Sequence, residues 1–156
     1  YNIKTINFYI MKKLIFILFF TLIFSKNSFS DNNLDKIMIS DPYLLLTMPN
    51  PKMLGGYLTI NNMNDFDIKL ISIRSNIAKK IEIHKTEINN EKMKMIKIKD
   101  GLTIASKANL ELKHGSYHLM IMGITEKINL LKEYEITLIF SNLGSKKVFF
   151  KTKKMK

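Results

Sequence analysis

The segment Tyr117–Met122 carries one histidine and two methionines at alternating positions. In a β-strand successive side chains point to opposite faces, so His118, Met120 and Met122 would share one face. An imidazole beside two thioethers is unusual both for a core face and for a solvent face. Imidazole and thioether ligands suit a soft monovalent ion such as Cu(I), whereas Mg²⁺ and Ca²⁺ prefer oxygen. The alternative is that Met120 and Met122 only fill gaps in the core.

A second histidine and methionine lie upstream in a pattern that predicts a hairpin. The segment Lys80 to Thr86 alternates between apolar and polar residues, and His84 lies on its polar face. Ten residues separate His84 from Met95, which suits a β-hairpin that returns the chain towards its start. If this hairpin pairs with the strand that carries His118, two imidazoles and two thioethers come together.

Four further residues could serve as additional ligands. Met93 and Met122 are candidates for spare thioethers in metal transfer, although packing is the simpler role for both. His114 lies beside Gly115, where a turn residue is expected rather than a ligand. Met155, in the lysine-rich C-terminal segment, could also capture a metal ion.

The composition excludes several classes of site. The chain has no cysteine, which excludes a disulfide framework, a cysteine zinc site and a thiol nucleophile. Electron carriers of the blue-copper type use a cysteine ligand, so that class is disfavoured as well. No nucleophile elbow, phosphate-binding glycine loop or helical His-Glu-His zinc motif is present. We therefore expect a binding protein rather than an enzyme.

The formal net charge is +12, and lysine supplies all but one of the 25 basic residues. Phosphate-binding surfaces usually recruit arginine for its planar fork, and these lysines are spread along the chain. We expect no nucleic-acid partner. The charge could still favour encounter with an acidic protein or an anionic membrane surface.

Residues 11–30 are predicted to be a signal peptide. Met11 is followed by two lysines, an apolar stretch from Leu14 to Phe24, and small residues at Ser28 and Ser30. The apolar stretch is shorter than the roughly 20 residues that span a bilayer, although an uncleaved anchor is the alternative. Cleavage near Ser30 would release a periplasmic domain of residues 31–156. Residues 1–10 are interpreted as translated upstream sequence that is not native.

The region after residue 31 is predicted to form eight or nine short strands. Alternating apolar and polar residues are separated by turn signals such as Gly55-Gly56, Asp100-Gly101 and Asn142-Leu143-Gly144. This pattern is typical of a β-sandwich or barrel. Residues 61–64 are predicted to be a polar break, and Phe66 to Arg74 a regular alternating strand.

Taken together, these residues resemble the periplasmic copper chaperones of the PCu(A)C family. That family has a His, ten residues, a Met, about twenty-one residues and then His-x-Met, and here 22 residues separate Met95 from His118-Leu119-Met120. The segment Gly56–Asn62 is similar to an early strand of the family, and Leu112–Met120 to its Leu-x-Pro-Gly-Gly-x-His-x-Met motif. The resemblance covers about residues 37 to 150. The chain departs from the family pattern in three places. The gap between Met95 and His118 is one residue longer, and His114 and Ser116 replace a proline and a glycine of the motif. Ile104–Lys107 stands where the family has Ile-Pro-x-Gly.

The resemblance implies a single-domain, all-β fold of the cupredoxin-like Greek-key sandwich type. It also implies that Cu(I) is bound by His84, Met95, His118 and Met120 at a fairly exposed site. The implied partner is a copper-accepting protein, such as the subunit of cytochrome c oxidase that carries the copper A centre (subunit II). We expect a monomer that reaches the membrane only through this partner or an uncleaved signal. The alternative is an exported β-sandwich that docks a protein partner without metal.

Overall fold

The computed structural model describes residues 12–13, 33–89 and 92–155. The chain divides into two compact units, Tyr1–Asp31 and Asn32–Lys156. In the first unit only Lys12 and Lys13, which are helical, are described. Residues 1–10 and most of the predicted signal peptide therefore lie outside the described residues, and both interpretations stay predictions. No helix in the described ranges is long and apolar enough to cross a membrane.

Ten β-strands form in the described part of the second unit, compared with the eight or nine predicted. They are β1 (Ile37–Leu46), β2 (Met53–Asn62), β3 (Ile68–Arg74), β4 (Ala78–Asn89), β5 (Lys92–Lys97), β6 (Leu102–Ile104), β7 (Asn109–Leu112), β8 (Tyr117–Ile124), β9 (Tyr134–Phe140) and β10 (Gly144–Lys154).

The strands form two sheets joined by β10. The first sheet has the order β5-β4-β8-β2-β1, and β7 pairs with β2 beyond the end of β8. The second sheet has the order β10-β9-β3-β6. The first part of β10 pairs antiparallel with β9, and its last residues pair parallel with β1. The predicted all-β sandwich is confirmed.

The core lies between the inner faces of the two sheets. In β9 every second residue is buried: Tyr134, Ile136, Leu138 and Phe140. In β8 the fully buried residues are Leu119 and Ile121. This period of two is the pattern expected of strands with one face in the core, and each such side chain contributes roughly 1.5–3 kcal/mol by leaving water. The face of β8 with His118, Met120 and Met122 therefore points away from the core.

The regular strand predicted for Phe66 to Arg74 is wrong in two respects. Phe66 precedes β3, and its side chain is 43% exposed. The pairing of β3 with β9 shifts between Leu70 and Ser72, so that Ile73 is buried and Ser72 is not. A bulge of this kind inserts one residue and reverses which side chains face the core.

The polar break predicted for residues 61–64 is also wrong in part, because Asn62 belongs to β2 and is fully buried. Its Nδ2 donates to the carbonyl oxygens of Phe66 at 2.8 Å, Ala105 at 3.0 Å and Ile104 at 3.1 Å. Its Oδ1 accepts from the backbone N–H of Asn64 at 3.0 Å. A buried polar group is tolerated only when it is hydrogen-bonded, and Asn62 meets that condition by joining β2, the following loop and the end of β6.

Candidate metal site

Three neighbouring strands of the first sheet carry the predicted ligands on one face. His84 of β4 lies directly opposite His118 of β8, and Thr86 of β4 lies opposite Met95 of β5. Met120 follows His118 by two residues and therefore shares its face. Met95 and Met120 are both diagonal neighbours of His84, and long side chains can meet across such positions. The predicted β4-β5 hairpin is confirmed; that these four residues bind a metal stays a prediction.

The two histidine rings lie against each other. Their centroids are 5.9 Å apart and their planes meet at 66°, an edge-to-face arrangement. His118 is 4% exposed, and the His84 side chain is 15% exposed. His84 is thus not the surface residue that its place on a polar strand face would suggest, because the ring of His118 and the carboxylate of Glu82 lie against it.

A backbone hydrogen bond fixes the tautomer of His118. Its Nδ1 lies 3.1 Å from the carbonyl oxygen of Ser116. Since a carbonyl oxygen only accepts, Nδ1 carries the proton and Nε2 of the neutral ring has a free lone pair. That Nε2 is buried and has no hydrogen-bond partner among the described residues. Burial also lowers the pKa of His118 below its usual value, which favours the neutral ring.

The carboxylate of Glu82 fixes the other tautomer in His84, with the proton on Nε2 instead of Nδ1. Nε2 of His84 lies 2.9 Å from Oε2 of Glu82. The ammonium groups of Lys80 and Lys97, each 2.7 Å from Oε1, together with His84 lower the pKa of Glu82 to about 2. The ionised carboxylate only accepts, so Nε2 donates and Nδ1 keeps the lone pair of the neutral ring. Nδ1 of His84 is buried and, within the described ranges, also lacks a partner.

A cavity of about 240 Å³ lies beside the histidine pair. His118, Met95 and Met120 are among the residues that line it, whereas His84 is not. The remaining lining residues are Leu45, Thr47, Met53, Leu54, Gly55, Tyr57, Thr86, Met93, His114, Gly115 and Met155. The cavity is therefore lined by five thioethers and two imidazoles, together with the hydroxyl groups of Thr47, Tyr57 and Thr86.

Aromatic side chains support His118 from the side of β2. The rings of Tyr57 and His118 are 6.4 Å apart, and Tyr43 of β1 lies 5.1 Å from Tyr57. Tyr57 can lie across its own strand because Gly55 has no side chain: a Cβ at Gly55 would come within 2.6 Å of the Tyr57 hydroxyl. Gly55 pairs with Met120, so this glycine and tyrosine shape the wall next to a predicted ligand.

The other candidate residues separate into two groups. Met93, Met155 and His114 line the cavity; His114 lies in the turn between β7 and β8, as predicted. Met122 lies opposite Lys80 of β4 and Met53 of β2, and is not a lining residue.

Sequence analysis missed the roles of Glu82, Tyr57 and Met53. For Glu82 the alternation of the strand was a usable signal, because it places Glu82 and His84 on one face.

No group of three or more His, Asp or Glu side chains that could hold a metal ion is found in the described part of the chain.

Comparison with protein families gives a match over most of the second unit. The family model described as "LpqE-like: Putative lipoprotein LpqE-like" matches residues 37–152. Among curated proteins, the uncharacterized protein RP573 of Rickettsia prowazekii (strain Madrid E) is 30% identical over 86 residues. These residues make up 55% of this chain and 48% of RP573, so the match spans about half the length of that relative.

Solved structures with a similar fold include PCuAC domains and the protein DR1885. The copper-bound PCuAC domain from PmoF2 has a TM-score of 0.64 and 18% identity, over 77% of this chain and 94% of that chain. The Cu(I) form of DR1885 from Deinococcus radiodurans has a TM-score of 0.57 and 21% identity, over 80% and 85% of the two chains. Apo-DR1885 has a TM-score of 0.59 and 22% identity, over 77% and 80%. The predicted cupredoxin-like β-sandwich is thereby confirmed.

Proposed function

The chain belongs to the LpqE-like family and has the fold of PCuAC domains, and from that premise we propose that it is an exported copper chaperone. It binds one Cu(I) through His84, Met95, His118 and Met120 and passes the ion to another protein. The ion is cargo, and the chaperone performs no catalysis. Export rests on the signal peptide predicted for residues 11–30 and on the lipoprotein description of the family.

The main observation behind the proposal is a pair of buried imidazole nitrogens that have no hydrogen-bond partner among the described residues. Nε2 of His118 and Nδ1 of His84 are both held in the tautomer that leaves a lone pair unused. A buried acceptor without a partner costs about 1–3 kcal/mol. A metal ion bound to either nitrogen would remove that cost, and metal-binding histidines typically donate their other ring N–H to a carbonyl or carboxylate in this way.

The thioethers select the ion. Met95 and Met120 add two neutral, soft sulfur ligands on the same sheet face, a donor set that favours Cu(I). The solved structures of similar fold include a PCuAC domain described as copper-bound and DR1885 described as a Cu(I) form. These descriptions support copper as the cargo of this chain too.

Partial exposure of the site is suited to release. Met95 is 54% exposed, so a ligand of the acceptor could bind the ion before the two histidines dissociate from it. The acceptor that we propose is a protein with stronger imidazole or thiolate ligands, such as the copper A centre on subunit II of cytochrome c oxidase. The chaperone would act as a monomer in the periplasm and bind no nucleic acid.

A Cu(I) titration against a competing chelator tests this function. We expect one tight equivalent in the purified protein, and a loss of affinity of at least about tenfold, or 1.4 kcal/mol, in both His118→Ala and Met120→Leu. Met120→Leu keeps the shape of the side chain and should fold normally. The matched control is Met63→Leu, which changes a half-exposed methionine outside the cavity.

Two results would count against a chaperone. One is wild-type protein with no tight equivalent, which favours the metal-free docking module. The other is an unchanged affinity in Met120→Leu together with a normal circular dichroism spectrum, since the thioether would then not be a ligand.

A further inference from the structure

Methionines are concentrated around one cavity of the molecule. The chain has 10 methionines, and five of them line the cavity of about 240 Å³ beside His118: Met53, Met93, Met95, Met120 and Met155. The proposed chaperone site uses Met95 and Met120. Three cavity thioethers therefore remain without a role.

These three methionines come from separate parts of the chain. Met53 is the first residue of β2, Met93 lies on β5, and Met155 directly follows β10. The backbone N–H of Met155 donates to the carbonyl oxygen of Leu46 at 3.0 Å, which holds the end of the chain against β1. Three distant segments thus contribute the same side-chain chemistry to the lining of one cavity.

Packing does not explain why these positions are methionine. Met53 is 55% exposed, Met93 67% and Met155 54%. A side chain that keeps more than half of its surface in water gains little from burial. Met93 also lies between Lys92 and Lys94, which are both exposed.

The cavity fits an ion better than an organic ligand. Pockets for drug-sized molecules are typically about 300–1,000 Å³, and this one is about 240 Å³. No Asp or Glu is among the described residues that line it, and hard ions such as Ca²⁺ and Mg²⁺ require oxygen ligands. Neutral thioethers bind soft monovalent ions instead.

We propose that Met53, Met93 and Met155 form a second, weaker binding site for a soft monovalent cation at the mouth of this cavity. The inference rests on the proposed function, because it takes Cu(I) at the histidine site as the ion that passes through. The second site is weaker since it has no imidazole and its flexible side chains lose rotamer freedom on binding. Cu(I) would bind here first on entry and last on exit. Only ligands are exchanged, so the ion keeps its charge and no electron is transferred.

Titration with Ag(I), a soft monovalent probe, tests the second site. Methionine methyl groups carrying ¹³C are followed by NMR while Ag(I) is added to the purified protein. We expect two equivalents: the first shifts Met95 and Met120, and the second, at higher concentration, shifts Met53, Met93 and Met155. The triple variant Met53→Leu, Met93→Leu, Met155→Leu should lose the second equivalent and keep the first.

A double variant at surface methionines outside the cavity, Met38→Leu with Met63→Leu, is the control and should retain both equivalents. Binding of a single equivalent by the wild-type protein would overturn the second site. A second equivalent that persists in the triple variant would also overturn it. Absence of the first, tight equivalent would instead contradict the proposed chaperone function, so the two failures are distinguishable.

Discussion

Two side-chain hydrogen bonds determine which nitrogen of each histidine is available to a metal. Ser116 holds the proton on Nδ1 of His118, and Glu82 holds it on Nε2 of His84. The two free lone pairs therefore belong to different ring positions, Nε2 in His118 and Nδ1 in His84. Glu82 is stabilised as an anion by Lys80 and Lys97, so this small charge network extends the site beyond the ligands themselves.

We predict that Glu82→Ala weakens Cu(I) binding about 10–100-fold, the range typical of outer partners of metal-binding histidines. Without the carboxylate, His84 loses the partner that fixes its tautomer and orientation. Chelator competition measures the affinity, and ¹⁵N NMR of the imidazole reports the tautomer. Glu87→Ala is the matched control, because Glu87 lies on the same strand and pairs only with exposed Lys85 in the described structure. Equal Cu(I) affinities in the two variants would show that Glu82 does not support metal binding by His84.

The sequence could predict which side chains share a strand face but, apart from the β4-β5 hairpin, not which strands are neighbours. Alternation was enough to group His118 with Met120 and Glu82 with His84. The contact of Tyr57 with His118 depends on the register between β2 and β8, which no local pattern specifies. Met53 was missed for the same reason, since it lies far in the sequence from the other methionines that line the cavity and joins them only through strand pairing.

At the scale of elements, β2 is the strand that connects the site to the opposite end of the sandwich. Its first residues pair with β8 beside Met120, and its last residues pair with β7. Asn62 then closes the strand with hydrogen bonds to the loop after it and to the end of β6. The position of Met120 thus depends on a strand that is fixed at its far end by one buried amide.

We predict that Asn62→Ala lowers the free energy of unfolding by about 3 kcal/mol, because buried carbonyl groups and the Asn64 N–H lose their partner. Urea denaturation measures the change. Asn61→Ala is the control: the Asn61 side chain bonds Ser40 in an exposed position at 2.8 Å, and its loss should cost no more than about 1 kcal/mol. Similar losses in both variants would mean that the buried network around Asn62 has no special role.

Strands with a clean period of two were predictable, and interruptions of that period were not. β8 and β9 were recognised from alternating residues along the strand, and β4 from the shorter alternation around Ile81 and Ile83. The bulge in β3 was missed because a bulge reverses the pattern without a distinctive residue type. β6 has only three residues, too few to establish a period. The transfer of β10 between sheets is a property of the assembled sandwich and has no local signal.

In the molecule as a whole, the sandwich brings the four proposed metal ligands to one sheet face. The inner faces of the two sheets bury the aliphatic core, which frees the outer face of β5, β4 and β8 for His84, Met95, His118 and Met120. The C-terminal end of β10, paired with β1, brings Met155 to the same cavity. The net charge of +12 would favour encounter of the protein with an acidic acceptor.

The proposed function requires that imidazole and thioether groups bind the same Cu(I) ion. X-ray absorption spectroscopy at the copper edge, on protein loaded with one equivalent of Cu(I), identifies the ligand atoms. We predict nitrogen and sulfur scatterers together in the first shell, with the sulfur contribution reduced in Met120→Leu and unchanged in Met63→Leu. A first shell of nitrogen or oxygen alone in the wild-type protein would contradict the claim.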